Sequence, residues 1–209
     1  MHFCSDNGHE VYYLQEGRTS GRRKGLNGEN FDNINSKFYS ETGGDVFNGN
    51  DEMGGLKFSS WEGGTRIPYL IRWPGAIEPK STSDHMCANY DLMPTLADIV
   101  GLQMPEDKDG ISFLPTMLGK EKNQDKHDFV VYASGVGPAL VTGDGWKIRY
   151  INRDDDFQLY DPKKDYREDN DLAADCPEIV DRLSKWLLEA CDGDYEHGTP
   201  QNHNVTYDP

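Results

Sequence analysis

Two side-chain oxygens, one of them charged, stand together at Asp6 and Asn7, just after a short apolar run and just before Gly8. Hard cations such as calcium or magnesium take oxygen donors of this kind, and the carboxyl end of a strand is where open α/β sheets expose their ligand crevice. The same Asp-Asn-Gly tripeptide makes ordinary turns, and two oxygens do not complete a calcium site, so most donors must come from elsewhere. Further along, Lys57 precedes the compact group Glu62, Gly63, Gly64 and Arg66. Its ammonium reads either as an anion contact or as a solvated surface lysine. Glu62 and Arg66, one helical turn apart, read as a structural ion pair bracing a turn in which the two glycines allow close backbone approach or positive φ. His9 either touches a substrate or is a partly exposed loop histidine.

The elements that must hold these residues are short. Met1–Ser5 reads as the last part of a strand, stopped by the turn at Asp6–Gly8. Nothing precedes it to pair or turn, so the chain reads as entered midway, with an exposed sheet edge open to self-association. From Gly17 to Gly55 the sequence is rich in Gly, Asn, Ser and charge without a sustained period, which marks a long irregular insertion over about residues 12–55. Ile67–Trp73 is β-branched and aromatic, reads as a buried strand, and is halted by Pro74 and Gly75. Leu92, Met93, Leu96, Ile99 and Val100 share one helical face, with Asp91 as N-cap, Pro94 in the first turn and Gly101 at the end.

Beyond Phe129 the texture becomes that of antiparallel strands: Phe129–Ala133, Ala139–Thr142, Trp146–Ile151 and Phe157–Tyr160. Gly143, Asp144 and Gly145 form a hairpin, after which Trp146, Ile148 and Tyr150 alternate with Lys147 and Arg149 as a dry and a wet face. A last helix starts near Pro177, and Ile179, Val180, Leu183, Trp186, Leu187 and Ala190 form its apolar stripe. The boundary between the two parts falls near Lys120, giving divisions 1–120, 121–192 and a polar tail 193–209.

Composition narrows the partners. With 37 acidic against 21 basic side chains, a formal charge of −16, the chain repels phosphate backbones and anionic membranes, so neither nucleic acid nor membrane is an expected partner. An anion is bound only where a cation or convergent basic groups reverse the potential locally. Cys4, Cys87, Cys176 and Cys191 are too scattered for a zinc site or a disulfide framework. Cys4 and Cys87 read as buried free thiols, and the pairing of Cys176 with Cys191 stays open.

Taken in order, Ser5–Gly8, Lys57, Glu62–Arg66, the strand ending in Trp73-Pro74-Gly75, and Asp91–Leu96 resemble the motif series of the sulfatase family within the alkaline phosphatase superfamily. Asp109, Gly110 and Ser112, then Leu159–Pro162 ahead of Asp169–Ala173, continue the resemblance over nearly the whole chain outside the insertion and the tail. It implies an α/β fold: the C-terminal part of an alkaline phosphatase-like α/β/α sandwich, followed by a small antiparallel sheet packed on a C-terminal helix. It implies sulfuric ester hydrolysis, with sulfated glycans or small molecules as substrates. Asp6 and Asn7 would be metal ligands for Ca2+, with Mg2+ as the alternative, and Lys57 would be the catalytic and substrate-binding cation. Glu62, Gly63, Gly64 and Arg66 would be structural near the site. Family habit places such proteins in the periplasm, outside the cell or in the lysosome.

The family's nucleophile is a formylglycine made from Cys or Ser in a Cys-x-Pro-x-Arg type motif upstream of Asp-Asn-Gly, and no cysteine or serine here begins that pattern. The nucleophile is therefore expected on a missing N-terminal part, which is also an expected partner, and the chain alone is expected to be inactive. The rival expectation is a non-catalytic remnant or binding module with the same fold. Arg18, Arg22, Arg23 and Lys24 in the insertion would either help hold an anionic glycan or form a basic patch on a mobile loop.

Overall fold

Short apolar runs cut by turn residues give short strands, and the protein is built from them. The computed structural model describes residues 1–9, 27, 37–43, 45, 48–105 and 108–195. In chain order its regular elements are β1 (His2–Cys4), α1 (Glu62–Thr65), β2 (Tyr69–Ile71), α2 (Leu92–Val100), α3 (Leu114–Met117), β3 (Phe129–Tyr132), β4 (Ala139–Thr142), β5 (Lys147–Ile151), β6 (Asp156–Tyr160) and α4 (Pro177–Ala190). Helices mixed with sheets are what the α/β expectation required. The chain divides into two compact units, one of Met1–Asp6 and Pro68–Val130, the other of Asn7–Ile67 and Val131–Pro209.

In the first unit β1 and β2 pair antiparallel, with His2 opposite Ile71, Phe3 opposite Leu70 and Cys4 opposite Tyr69. The amine of Met1 donates to the Arg72 carbonyl at 2.7 Å, and the Arg72 amide returns a bond to Met1. The expectation of a fully buried strand at Ile67–Trp73 is corrected here. Period-two alternation turns Leu70 and its partner Phe3 to one face of a two-stranded ribbon, and they are 59% and 58% exposed. The opposite face is half-buried: Tyr69 meets Phe113 edge-on, and Ile71, Leu92, Thr95, Leu96, Ile99 and Phe113 line a cavity of about 280 Å3.

Helix α2 forms where the spacing put it, although Met93, Leu96 and Val100 of its apolar stripe are more than half exposed, and it ends at Gly101, whose φ of 72° is the left-handed cap that glycine takes without strain. Asp91 precedes it but does not cap it with its side chain. Instead the fully buried carboxylate accepts the Ala88 and Ile111 amides at 2.7 and 2.8 Å and faces His127 Nε2 at 2.9 Å. A charge that far from water is held by several donors at once. Asp91 thus ties the entry of α2 to the 111 and 127 segments.

The four-stranded sheet has the order β3-β4-β5-β6, with Leu140 opposite Ile148 and Ile148 opposite Leu159. These three side chains are fully buried, and α4 lays Leu183 and Leu187, also fully buried, over them. The apolar stripe of α4 covers the dry face as its periodicity demands. At the β4–β5 turn the Gly145 amide donates to Thr142 at 2.9 Å, and the φ of 104° at Gly145 is one that side chains resist. All four cysteines are free thiols, Cys191 buried and the others half-buried.

The wet face of β5 requires a correction. Lys147 and Arg149 alternate away from the apolar core as expected, yet they are 0% and 2% exposed. A second polar layer, made by residues 60–62 and by Glu168, covers that face and replaces the water.

Candidate functional site

Glycine decides how the second unit brings distant motifs together. The Gly8 amide donates to the Gly64 carbonyl at 2.9 Å. A Cβ on Gly8 would sit 1.8 Å from the Gly63 carbonyl oxygen, and one on Gly63 would sit 2.1 Å from Asn50 Nδ2. Neither Gly63 nor Gly64 takes a positive φ. Of the two roles open to these glycines, close approach is the one used. Asn50, nearly fully buried, donates Nδ2 to the carbonyls of Met53 and Gly55, and the Gly63 amide donates to Gly54 at 2.8 Å. Residues 50–64 are therefore folded on themselves and pressed against residue 8.

Lys57 lies within that folded segment. Its amide donates to the His9 carbonyl at 2.8 Å, and its ammonium lies 5.2 Å from the Phe58 ring centroid. The structure thus brings Gly8, His9, Lys57 and the Glu62–Arg66 turn together, although the chain separates His9 from Lys57 by the whole insertion. Near His9, the Asp45 carboxylate lies 3.6 Å from Nε2 and accepts the Gly49 amide at 2.6 Å.

Beneath the turn lies a buried ion network. Lys147 Nζ donates to Glu62 Oε1 at 2.8 Å and lies 3.0 Å from Glu168 Oε1, the latter a pairing of charges rather than a well-directed hydrogen bond. Glu168 Oε2 accepts the Glu62 amide at 2.6 Å, at the first turn of α1. Arg149 donates to Ser60 Oγ at 2.7 Å and to Gln158 at 2.8 Å, with its guanidinium carbon 3.4 Å from the Trp61 ring centroid. Two cations and two carboxylates offset each other there. Burial works against the Glu62 carboxylate, but Lys147 and then Arg66 more than offset it, leaving the group below its ordinary value. For Lys147, burial disfavours the charge, yet Tyr132, Glu62 and Glu168 hold the ammonium above its usual range. Burial pushes the neighbouring Tyr132 phenol up to about 12.

The expected Glu62–Arg66 pair is present at 3.6 Å, but Arg66 is more than half exposed and Lys147 is the nearer partner. Lys147, Arg149, Glu168 and Asn50 were not singled out from sequence. Two bases spaced two apart on a strand announce a shared face, but not that a buried acid awaits them.

Asp6 ends the N-terminal stretch of the first unit, and Asn7 begins the second. Their oxygens suit a hard cation in kind. Among the described residues no three or more His, Cys, Asp or Glu side chains gather as a metal-binding group, so this pair supplies only part of a donor set. Arg18, Arg22, Arg23 and Lys24, most of the insertion, and the tail beyond residue 195 lie outside the described residues.

Comparison with known proteins bears on these motifs. A family model described as N-sulphoglucosamine sulphohydrolase, C-terminal, matches residues 57–192, and one described as Sulfatase matches residues 1–102. An N-acetylgalactosamine-6-O-sulfatase of Bacteroides thetaiotaomicron is 31% identical over 169 residues, covering 73% of this chain and 33% of that protein. An arylsulfatase of Hemicentrotus pulcherrimus is 32% identical over 175 residues, covering 73% and 30%. The chain thus spans about a third of the length of these relatives. Among solved structures, one from work on glycosaminoglycan metabolism by Bacteroides thetaiotaomicron superposes with a TM-score of 0.61 at 25% identity, over 91% of this chain and 38% of that one. Another, solved in complex with its substrate D-glucosamine-2-N,6-O-disulfate, gives 0.56 at 27% identity, over 72% and 32%.

Proposed function

Given that the chain belongs to the sulfatase family, we propose that it supplies part of a site that hydrolyses sulfate esters of sugars, with Lys57 as the cation facing the sulfate. The observation that carries this reading is the main-chain lock that sets Lys57 beside His9 and presses Gly8 on Gly64. A sulfate ester carries negative charge on its non-bridging oxygens, and more collects on the bridging oxygen as the S–O bond breaks. A fixed ammonium aimed at those atoms stabilises the transition state more than the ground state. In a chain of charge −16 it also supplies the local reversal of potential that an anionic substrate needs.

Asp6 and Asn7 would hold a divalent cation, calcium or magnesium, whose chemistry is to bind sulfate oxygens and take up their charge. His9 would lie within reach of the sugar. The nucleophile is proposed to come from another part of the whole protein, because no Cys-x-Pro-x-Arg or Ser-x-Pro-x-Arg sequence occurs in this chain. A sugar substrate is favoured because relatives include an N-acetylgalactosamine-6-O-sulfatase and a protein bound to a disulfated glucosamine.

Inorganic sulfate titrated into the chain should shift the Gly8 and His9 amide resonances saturably, and Lys57→Ala should weaken that binding at least tenfold. Equal affinity in the variant would remove Lys57 from the site. The chain alone should turn over no aryl sulfate. A rate comparable with that of known sulfatases would show that the nucleophile lies within it.

A further inference from the structure

We propose that Glu168 and Lys147 are positioning residues that set the place of Lys57 by clamping both ends of the segment that carries it. The proposal rests on the reading of Lys57 as the sulfate-facing cation. The effect on Lys57 is argued through the main chain, and the path is short.

At the far end of the segment, the Glu168 carboxylate accepts the Glu62 amide at 2.6 Å while Lys147 donates to the Glu62 carboxylate at 2.8 Å. At the near end, the turn that carries Glu168 packs directly on Gly54, where a Cβ would stand 2.6 Å from the Arg167 carbonyl oxygen. Between the ends the Gly63 amide bonds the Gly54 carbonyl at 2.8 Å, closing residues 54–63 into a loop with Lys57 on it. That loop in turn fixes His9 through the Lys57 amide and Gly8 through the Gly64 carbonyl.

The turn is itself held against its own backbone preference. Glu168 has a φ of 55°, left-handed for a residue with a side chain, and such a conformation persists where surrounding contacts over-determine it. Those contacts are present on two sides. Lys37 Nζ donates to the Arg167 and Glu168 carbonyls at 3.2 and 2.8 Å, and Lys147 lies 3.0 Å from the carboxylate. A residue kept in a strained conformation so that its fully buried carboxylate meets one amide and one ammonium is placed for geometry rather than for solubility.

The test is residue-resolved hydrogen exchange on the whole chain, with Glu168→Ala and Glu168→Gln. Loss of the clamp should speed exchange of the Gly8, Lys57 and Gly63 amides at least tenfold in E168A. The Thr142 and Tyr150 amides, bonded within the β4–β5 hairpin, should change less than twofold. In E168Q, which keeps an acceptor for the Glu62 amide but not the charge, the same three amides should speed up by a smaller factor, near threefold. If E168A does not fold, E168Q alone decides on that threefold selectivity. A uniform rise at all five amides would make the role merely structural and overturn the proposal, as would no rise at the first three.

A second arm uses inorganic sulfate as the probe, and its affinity should fall at least threefold in both variants. Unchanged affinity would also overturn the proposal. Failure of the underlying reading looks different: there K57A leaves sulfate binding intact, while the exchange pattern, measured without sulfate, is unaffected by that outcome.

Discussion

Replacing Lys147 by methionine would leave two buried carboxylates facing an apolar chain of similar volume. In the native protein the ammonium lies 2.8 Å from Glu62 and 3.0 Å from Glu168, and both Lys147 and Glu168 have fully buried side chains. Glu168 would keep the Glu62 amide and the field of the Arg149 guanidinium. Glu62 would keep Arg66 at 3.6 Å, a partner that is more than half exposed. Removing one member of a buried pair costs about 3–5 kcal/mol, and the upper half applies here because two anions lose one cation. The pH dependence gives the loss a signature. Native Glu62 is held below its ordinary value, so its contribution is present above the unfolded value of 4.5 and fades as pH falls through the folded value. Without Lys147 burial would act on Glu62 with little opposition and raise it, so the variant regains stability as the Glu62 carboxylate protonates. Urea unfolding followed by tryptophan fluorescence should therefore show a larger gap between the two proteins at about pH 7 than at about pH 5. A gap under about 1 kcal/mol at neutral pH, or one that widens on acidification, would refute the account of the network.

Gly8→Ala should destabilise by about 1–3 kcal/mol, since a Cβ 1.8 Å from the Gly63 oxygen cannot be accommodated without backbone movement. Thermal unfolding measures the loss, and the sulfate affinity of the same variant should drop with it. Asp91→Asn keeps the shape of the buried hub but sets an amide N–H against a donor it now has to face, at a cost of about 1–3 kcal/mol. Because Asp91 joins the Ala88, Ile111 and His127 segments, exchange of the Ala88 and Ile111 amides should quicken together. Independent behaviour of those two amides would contradict a shared anchor.

Local pattern carried much of the fold into the sequence. The Ala139–Thr142 strand, the hairpin after it, the Gly101 stop and the α4 stripe each depend on neighbours a few residues away, and each stands where spacing put it. The misreadings come from partners far along the chain. Lys147 and Arg149 alternate as a solvent face would, and only the return of residues 60–62 and 168 makes that face an interior one. Leu70 looks buried by composition, but whether a strand of three residues is covered on one side or two is not written in its own side chains. At the candidate site, Lys57 and the Glu62–Arg66 group were visible by motif. The strained turn at Glu168 sits in an acidic stretch from Asp161 to Asp175 where one carboxylate looks like any other.

The pair of main-chain bonds at Gly8–Gly64 and His9–Lys57 has an architectural meaning beyond the site. They form the neck of a loop and are made by atoms that every residue possesses. The ends of residues 10–56 are thus stapled whatever lies between them, and closure entropy rises only slowly with the length enclosed. Rewriting within that stretch is limited by Lys37, Asn50 and Gly54, which bond the Glu168 turn and the carbonyls of residues 53 and 55 and take the Gly63 amide beneath the neck.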